Sequence, residues 1–145
     1  MYHSMIILAL HGVFGCHSNK KKEVPSLMEQ QKEENEVFWV PYSAYAVQEY
    51  KTRPLLIYVT ADWCLTCVQM ERDILLAPSI KEQLMKKEFV ALRADWTRHD
   101  PEVSSLMEHY GAQILPFLVL RQEGMSDIVL SHTVSKEELE KNLQD

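Results

Sequence analysis

The sequence predicts an α/β domain in which a central β-sheet is covered by helices. Short apolar runs of strand length alternate with segments that have helical periodicity. Residues 55–60 form a continuous apolar run, as expected of a central strand that is covered on both faces. The chain has 145 residues, of which 46% are hydrophobic and 25% charged, so it is long enough for one domain with a substantial core.

The domain is predicted to begin with a strand and a helix. Residues 36–40 form the strand, and Pro41 ends it or places it at a sheet edge because proline cannot donate a backbone hydrogen bond. Residues 43–50 form the helix, which Pro54 stops. The central strand, residues 55–60, follows directly.

Further helices and a second buried strand are predicted after the central strand. A helix over residues 68–76 is expected to end before Pro78, and Ser79 is expected to cap one or two further turns. Residues 89–92 predict the strand, which ends near Asp95.

The clearest helix signal lies between Asp100 and Gly111. Asp100 is a capping residue, Pro101 occupies the first helical position, and Gly111 follows the end. Apolar side chains recur at the spacing i, i+3, i+4 and i+7, and these are Val103, Leu106, Met107 and Tyr110. We therefore assign this stripe to the core.

A pair of strands and a last helix are predicted for the C-terminal part. Residues 117–120 form a buried strand, 122–124 a turn, and 127–133 an edge strand. Ser135 and Glu138 form a capping box at the start of the last helix. The predicted order of elements is β-α-β-α-β-α-β-β-α.

Two cysteines, Cys64 and Cys67, lie between the central strand and the next helix. A Cys-X-X-Cys pair in this place can alternate between dithiol and disulfide with little backbone movement. The N-terminus of a helix carries a partial positive charge and free N–H groups, which favour a thiolate on Cys64. The pattern therefore indicates thiol–disulfide exchange.

Two other interpretations of the cysteine pair remain open at this point. A zinc site needs four ligands, and the sequence has no second cysteine pair, although His99, His109 and His132 are available without a recognisable ligand spacing. An inert structural disulfide would close a loop of only four residues, which constrains the unfolded chain little.

The segment Trp63-Cys64-Leu65-Thr66-Cys67 after an apolar strand, with Leu115-Pro116 further along, resembles the thioredoxin superfamily. The resemblance covers residues 38–143, most of the chain. It implies a thioredoxin-like fold, in which a central mixed β-sheet is flanked by helices and the Cys-X-X-Cys pair lies at the N-terminus of a helix.

A narrower resemblance is to the C-terminal thioredoxin-like domain of DsbD-type thiol reductases. It is carried by residues 58–67, 94–97 and 110–116. Residues 61–63 and 94–96 both read Ala-Asp-Trp, but the likeness does not extend further, so the sequence contains no internal repeat.

The resemblance implies a role for each residue of the motifs. Cys64 is expected to be the attacking thiol with its sulfur towards solvent, and Cys67 the resolving thiol, paired with Cys64 in a disulfide. Trp63 is expected to cover the site as an apolar contact, although simple packing is an alternative. Pro116 is expected to be a cis-proline, with Leu115 and Pro116 binding the substrate as an added strand.

Proton transfer is where the sequence departs from the family. The family usually has a buried Asp six residues before the first cysteine, and Tyr58 occupies that position. A tyrosine with a pKa near 10 is a poor base at neutral pH. Glu71 matches an acidic position of the DsbD-like domains and is a candidate acceptor for the Cys67 proton, unless it is a solvated surface residue. Asp62 is expected to be solvated.

The N-terminus resembles an export signal. Residues 1–19 contain no Lys, Arg, Asp or Glu, and residues 5–14 are mostly apolar but too short to cross a bilayer. Residues 13–16 resemble a bacterial lipobox with Cys16 as the lipidated residue, which would also account for the third, unpaired cysteine. A cleaved signal, an uncleaved anchor and a cytosolic start remain alternatives, because the segment before the apolar run lacks Lys and Arg.

The sequence therefore divides into three parts. Residues 1–16 are the candidate signal peptide and lipobox, and residues 37–145 are the thioredoxin-like domain. Between them, residues 17–36 are polar and rich in charge, which predicts a tether.

These observations together predict a thiol:disulfide oxidoreductase. The specific role that we expect is reduction of protein disulfides in the bacterial cell envelope. No metal or organic cofactor is expected, because the cysteine pair carries two electrons. The expected partners are protein thiol and disulfide substrates and a membrane thiol reductase as electron donor, and the protein is expected to be a monomer. The net charge of −6 argues against nucleic-acid binding. The alternatives are a disulfide oxidase or isomerase, and a binding or assembly module with little redox turnover.

Overall fold

The computed structural model describes residues 39–144. The predicted signal segment with Cys16 and the predicted tether lie outside the described residues. No helix within the described range is long and apolar enough to span a membrane.

The described residues form a five-stranded mixed sheet. Its strands are β1 (Trp39–Pro41), β2 (Leu55–Thr60), β3 (Val90–Asp95), β4 (Phe117–Arg121) and β5 (Ile128–Leu130), in the order β1-β3-β2-β4-β5. Strands β1, β2 and β3 are parallel, whereas β4 and β5 run antiparallel to their neighbours. The predicted mixed sheet is confirmed, with β2 at its centre.

Helices connect or follow these strands. They are α1 (Ala44–Glu49), α2 (Leu65–Met70), α3 (Pro78–Lys86), α4 (Pro101–His109) and α5 (Lys136–Gln144). The Asp100 carboxylate accepts hydrogen bonds from two backbone amides at the start of α4, as the sequence predicts. The hydroxyl of Ser135 accepts a hydrogen bond from the amide of Glu138 at the start of α5.

The core lies on both faces of β2, every residue of which is buried. Within the apolar stripe of α4, Val103, Leu106 and Met107 are buried and Tyr110 is half-buried against them. Because both faces of the central strands are covered, β2 and β4 are mostly apolar, with Thr60 and Arg121 at their ends, and lack the polar–apolar alternation of a half-exposed strand.

Three boundaries differ from the prediction. Ser79 does not cap α3, because Pro78 occupies the first helical position and Ala77 is the capping residue. The hydroxyl of Ser79 instead donates to the carboxylate of Glu140 on α5. The edge strand β5 has three residues, fewer than the predicted 127–133.

The third difference concerns the helix after the cysteine pair, which is not uniform. Helix α2 ends at Met70 and is followed directly by a π-helical turn, Glu71–Leu75. The turn is closed by a hydrogen bond from the Leu76 amide to the Glu71 carbonyl. Such single turns occur inside α-helices and are frequent at functional sites. Nothing in the apolar spacing of the sequence signals this turn.

The strand register brings three segments to one edge of the sheet. Strands β2 and β3 are parallel with Thr60 opposite Asp95, so the residues that follow them emerge at the same edge. Strand β4 is antiparallel to β2 with Phe117 opposite Val59, so the residues that precede it arrive at that edge too. The cysteine pair, the loop after β3 and the Leu115-Pro116 segment therefore meet there.

Candidate active site

Cys64 and Cys67 form a disulfide with an S–S distance of 2.05 Å. Cys64 is the capping residue of α2, and its sulfur accepts a hydrogen bond of 3.2 Å from the Cys67 amide. The predicted pairing and its location at the start of a helix are confirmed.

The two cysteines differ little in exposure in this disulfide form. Cys64 retains 6% of its accessible surface and Cys67 retains none. Cys64 is thus the more accessible cysteine, although the residue as a whole is largely buried in the disulfide form.

The two residues between the cysteines are exposed and differ in what they contact. Leu65 has 80% of its surface exposed. The hydroxyl oxygen of Thr66 lies 3.4 Å from the sulfur of Cys64. The Cys64 sulfur therefore has a side-chain hydroxyl and a backbone amide, that of Cys67, within hydrogen-bonding distance.

The loop after β3 supports the residues immediately before Cys64. The Asp62 amide donates a 2.9 Å hydrogen bond to the hydroxyl oxygen of Thr97, and the indole N–H of Trp63 lies 3.4 Å from the Thr97 carbonyl. Thr97 is itself held by Asp95, whose carboxylate accepts hydrogen bonds from the Thr97 amide and hydroxyl. The Thr97 hydroxyl bond is also the main reason why the pKa of Asp95 is lowered.

Trp63 is exposed over 56% of its surface but has an aromatic neighbour. Its ring centroid lies 6.2 Å from that of Trp96 in a tilted arrangement. Trp96 in turn packs edge-on against His99, with centroids 4.5 Å apart, and its indole N–H donates to the hydroxyl of Ser104 on α4. An exposed tryptophan beside Cys64 is thus supported from a second loop.

Tyr58 lies beneath the cysteine pair and is fully buried. Its hydroxyl donates a 2.8 Å hydrogen bond to the backbone carbonyl of Cys67. Burial raises the pKa of Tyr58, so the phenol stays neutral and acts as a donor at neutral pH. Its ring contacts that of Trp39, and the guanidinium of Arg93 lies 6.0 Å from the ring centroid.

Glu71 lies one helical turn after Cys67 and forms an ion pair with Arg93, with 2.7 Å between carboxylate and guanidinium. The side chains of Glu71 and Arg93 are 24% and 32% exposed, so the pair is partly buried. Glu71 is therefore not the fully solvated surface residue of the alternative interpretation, and its partner Arg93 was not anticipated. Asp62 is exposed, as expected.

The Leu115–Pro116 peptide bond is cis, as the resemblance implied. Leu115 and Pro116 are both buried directly before β4. The side chain of the preceding residue, Ile114, is 59% exposed. Large apolar side chains are thus exposed close in sequence to both the cysteines and the cis-proline, and these are Trp63, Leu65, Val68 and Ile114.

No group of three or more His, Cys, Asp or Glu side chains that could hold a metal ion occurs among residues 39–144. The three histidines considered for a zinc site do not gather around the cysteines in any such group.

Thr97 and Arg93 are the site residues that sequence reasoning missed. The duplicated Ala-Asp-Trp was the available signal for the loop that carries Thr97, because both copies follow predicted buried strands. Two parallel strands that are neighbours place such copies side by side at one edge of the sheet. Arg93 gave no signal, since it lies within a strand that is otherwise mostly apolar.

Comparison with known proteins agrees with this geometry. A family model described as thioredoxin-like matches residues 39–121. The chain is 30% identical over 80 residues to the thiol:disulfide interchange protein DsbD of Klebsiella pneumoniae and 27% identical over 75 residues to that of Haemophilus ducreyi. These matches cover 54% and 52% of the chain but only 13% of each relative, so the chain matches a small part of those proteins.

Solved structures show the same fold. A thioredoxin from Thermus thermophilus is similar with a TM-score of 0.59 and 24% identity, over 73% of this chain and 83% of that one. The oxidised C-terminal domain of DsbD from Neisseria meningitidis is similar with a TM-score of 0.55 and 23% identity, over 69% of this chain and 85% of that one.

The fold and the disulfide have a clear chemical consequence. A thioredoxin-like domain with a Cys-X-X-Cys disulfide at the start of a helix supports thiol:disulfide oxidoreductase chemistry in general, without fixing the direction of electron flow. With the family model matching more than half of its length, the chain belongs to the thioredoxin-like family.

Proposed function

We propose that this chain is a reductase of protein disulfides in the bacterial cell envelope and that it works by dithiol–disulfide exchange through Cys64 and Cys67. The observation that supports this most directly is the Cys64–Cys67 disulfide at the sheet edge where the cis-proline Pro116 also lies. The similarity to the thiol:disulfide interchange protein DsbD supports exchange chemistry. The choice of envelope and of direction rests on the resemblance to DsbD-type thiol reductases found in the sequence.

The reaction consists of two exchange steps. The Cys64 thiolate attacks one sulfur of the substrate disulfide, so a mixed disulfide forms and the other substrate sulfur leaves as a thiolate. Cys67 loses its proton and attacks the Cys64 sulfur, which forms the Cys64–Cys67 disulfide and releases the second substrate thiolate. Two electrons pass to the substrate, and its two thiolates take up the protons given up by the two cysteines.

Glu71 is the proposed acceptor for the Cys67 proton. It lies four residues after Cys67, and its amide donates to the Cys67 carbonyl. The ion pair with Arg93 competes with this role, because one carboxylate oxygen of Glu71 already accepts a hydrogen bond from the guanidinium. The other carboxylate oxygen of Glu71 is the proposed site of proton transfer.

Substrate docking is proposed to use Trp63, Leu115 and Pro116. The Leu115 backbone would pair with an extended segment of the substrate, as one more strand of the sheet. Trp63 would contact the apolar side chains that flank the substrate disulfide. The exposed side chains of Leu65 and Ile114 support this location, because exposed apolar surface near a reactive group favours contact with a protein partner.

Localisation and electron supply rest on the sequence. Lipidation of Cys16 would anchor the domain to a membrane of the envelope through the polar tether. A membrane thiol reductase would then return the Cys64–Cys67 disulfide to the dithiol, and the protein would act as a monomer. Mass determination of the mature N-terminus tests the anchor: a diacylated Cys16 supports it, and an unmodified Met1 contradicts it.

Trapping with the Cys67→Ser variant tests the exchange itself. Without the resolving thiol, the mixed disulfide on Cys64 should accumulate with protein partners in the envelope fraction. The matched control is the Cys64→Ser, Cys67→Ser double variant, which retains Cys16 and should trap nothing. Equal trapping by both variants would contradict a role for Cys64.

Two measurements on the wild-type protein distinguish a reductase from the alternatives. The wild type should reduce insulin disulfides with dithiothreitol as electron source, whereas a binding module would not. Equilibration with a glutathione redox buffer should show that the reduction potential of the Cys64–Cys67 pair is lower than that of glutathione. An oxidase or isomerase would have a higher potential.

A further inference from the structure

We propose that Thr66 is a further catalytic residue, whose hydroxyl stabilises the thiolate of Cys64 by a direct hydrogen bond. The inference rests on the proposed function, because it concerns the reactivity of the same cysteine. It adds a group that contacts the reacting sulfur and that differs from the residues proposed for proton transfer and docking.

The contact between the two side chains is direct. The Thr66 hydroxyl oxygen lies 3.4 Å from the Cys64 sulfur, within the range of hydrogen bonds to sulfur. A disulfide sulfur carries no hydrogen, so the hydroxyl must be the donor in this state. The Cys67 amide donates to the same sulfur at 3.2 Å. Two donors therefore converge on the atom that becomes negatively charged on reduction.

The position of Thr66 in the helix favours this use of its hydroxyl. In the middle of a helix a threonine hydroxyl commonly donates to a carbonyl of the preceding turn. Thr66 is the second residue of α2, so no preceding helical turn supplies such a carbonyl. Its backbone is fixed in the helix, so the hydroxyl remains within reach of Cys64 after the bond to Cys67 is broken.

Reduction should strengthen the interaction. A disulfide sulfur is a weak acceptor, whereas a thiolate carries a full charge, and hydrogen bonds to charged groups are about twice as strong as neutral ones. The hydroxyl therefore stabilises the thiolate more than either the neutral thiol or the disulfide. It increases the fraction of Cys64 that is ionised at neutral pH, and it makes each thiolate a somewhat weaker nucleophile.

The test compares Thr66→Val with Thr66→Ser. Valine has nearly the shape of threonine but no hydroxyl, and serine keeps the hydroxyl but lacks the methyl group. The reduced full chain is alkylated with iodoacetamide from pH 4 to pH 10, and modification of Cys64 is followed by peptide mass spectrometry, which separates it from Cys16 and Cys67.

For Thr66→Val we expect the midpoint of the alkylation profile to move up by about one pH unit, a tenfold change in the ionisation equilibrium. The rate at the high-pH plateau should rise about threefold, since a more basic thiolate is more nucleophilic with a Brønsted coefficient of about 0.4–0.5. Thr66→Ser should keep the wild-type midpoint and plateau. A purely structural role would not produce these opposite changes at neutral and high pH.

Two results would overturn the inference. One is an unchanged midpoint in Thr66→Val, and the other is an equal shift in Thr66→Val and Thr66→Ser. Thr66 is exposed, and thermal unfolding of the oxidised proteins checks that the variants fold alike. Failure of the proposed function would be seen separately, as a wild type that does not reduce insulin, and the alkylation profile would remain measurable.

Discussion

The hydroxyl of Tyr58, on the central strand, donates a hydrogen bond of 2.8 Å to the backbone carbonyl of Cys67. The same carbonyl accepts the amide of Glu71 in the regular pattern of the helix. Tyr58 therefore joins the middle of the sheet to the first turn of the helix that carries the cysteine pair. At the position where the family resemblance implied a buried carboxylate, this chain has a neutral donor that supports the backbone.

Replacing Tyr58 with Phe should separate support of the backbone from proton transfer. The variant loses one buried hydrogen bond, but the Cys67 carbonyl keeps the Glu71 amide, so we expect a loss of about 1 kcal/mol in the free energy of unfolding. Disulfide reduction per folded molecule should be unchanged between pH 6 and pH 9, because the raised pKa of Tyr58 keeps the phenol protonated there. Chemical denaturation and insulin reduction measure the two effects. A large loss of activity with little loss of stability would show that Tyr58 takes part in proton transfer.

Replacing Glu71 with Gln should slow the second exchange step. Gln cannot accept the Cys67 proton, so the mixed disulfide should resolve about tenfold more slowly or worse. The measurement is stopped-flow decay of a mixed disulfide between Cys64 and a fluorescent peptide. Asp73→Asn is the control for charge, because Asp73 lies in the same π-helical turn but is exposed and paired with Arg72.

A second variant separates the proton-accepting role of Glu71 from the effect of its ion pair with Arg93. Arg93→Met removes the partner of Glu71 but leaves the carboxylate, so resolution should be as fast as in the wild type or faster. Equal slowing by Glu71→Gln and Arg93→Met would mean that the ion pair supports the structure and that Glu71 does not take the proton.

Replacing Thr97 with Val should loosen the turn before Cys64. The variant loses the acceptor for the Asp62 amide and the hydroxyl bond to Asp95. We expect KM for a protein disulfide substrate to rise about fivefold with little change in kcat, equivalent to about 1 kcal/mol of binding.

Combination with Trp63→Ala shows whether Thr97 acts through the tryptophan. In the Trp63→Ala chain the Thr97→Val change should add little to KM, because the contact it positions is already gone. Thr133→Val, at an exposed site outside the three segments at the active-site edge, is the matched control and should leave KM unchanged. Additive effects of Thr97→Val and Trp63→Ala would contradict this positioning role.

Acid should weaken the network around Asp127. Arg121 binds both carboxylate oxygens of Asp127, at 3.0 and 2.8 Å, and Tyr110 donates to the same carboxylate. The hydrogen bonds from Arg121 are the main cause of the lowered pKa of Asp127. A lowered folded-state pKa gives stability that is present above the unfolded-state value, near 4, and is lost as the pH falls through the folded-state value.

Asp127→Asn should therefore cost about 1–2 kcal/mol in the free energy of unfolding at pH 7, and much less once the pH has fallen below the lowered folded-state pKa of Asp127. Urea denaturation at several pH values measures the difference. Asp73→Asn removes an exposed carboxylate that is paired with Arg72 at the surface, and it should change stability little at any pH. A cost of Asp127→Asn that does not depend on pH would contradict the ionic origin of this contribution.

Local patterns predicted most of the secondary structure. The capping residue Asp100 with Pro101 located helix α4 correctly, because capping depends on neighbours in the sequence. The same reasoning failed at Ser79, because the proline before it occupies the first helical position and the helix starts two residues earlier than a cap at Ser79 would imply. The π-helical turn after Met70 also escaped prediction, since a shift of one residue in the hydrogen-bond pattern hardly changes the spacing of apolar side chains.

The sequence by itself determined the succession of the strands along the chain and the place of Cys64 and Cys67 between a buried strand and a helix, because both follow from patterns within a few residues. The tertiary structure alone decided which distant side chains meet there: Thr97 with Asp62, Tyr58 with the Cys67 carbonyl, and Arg93 with Glu71. These contacts join residues 9 to 35 positions apart. They exist because the parallel pairing of β2 with β3 and the packing of the helix on β2 bring those residues together, and no local pattern encodes that register.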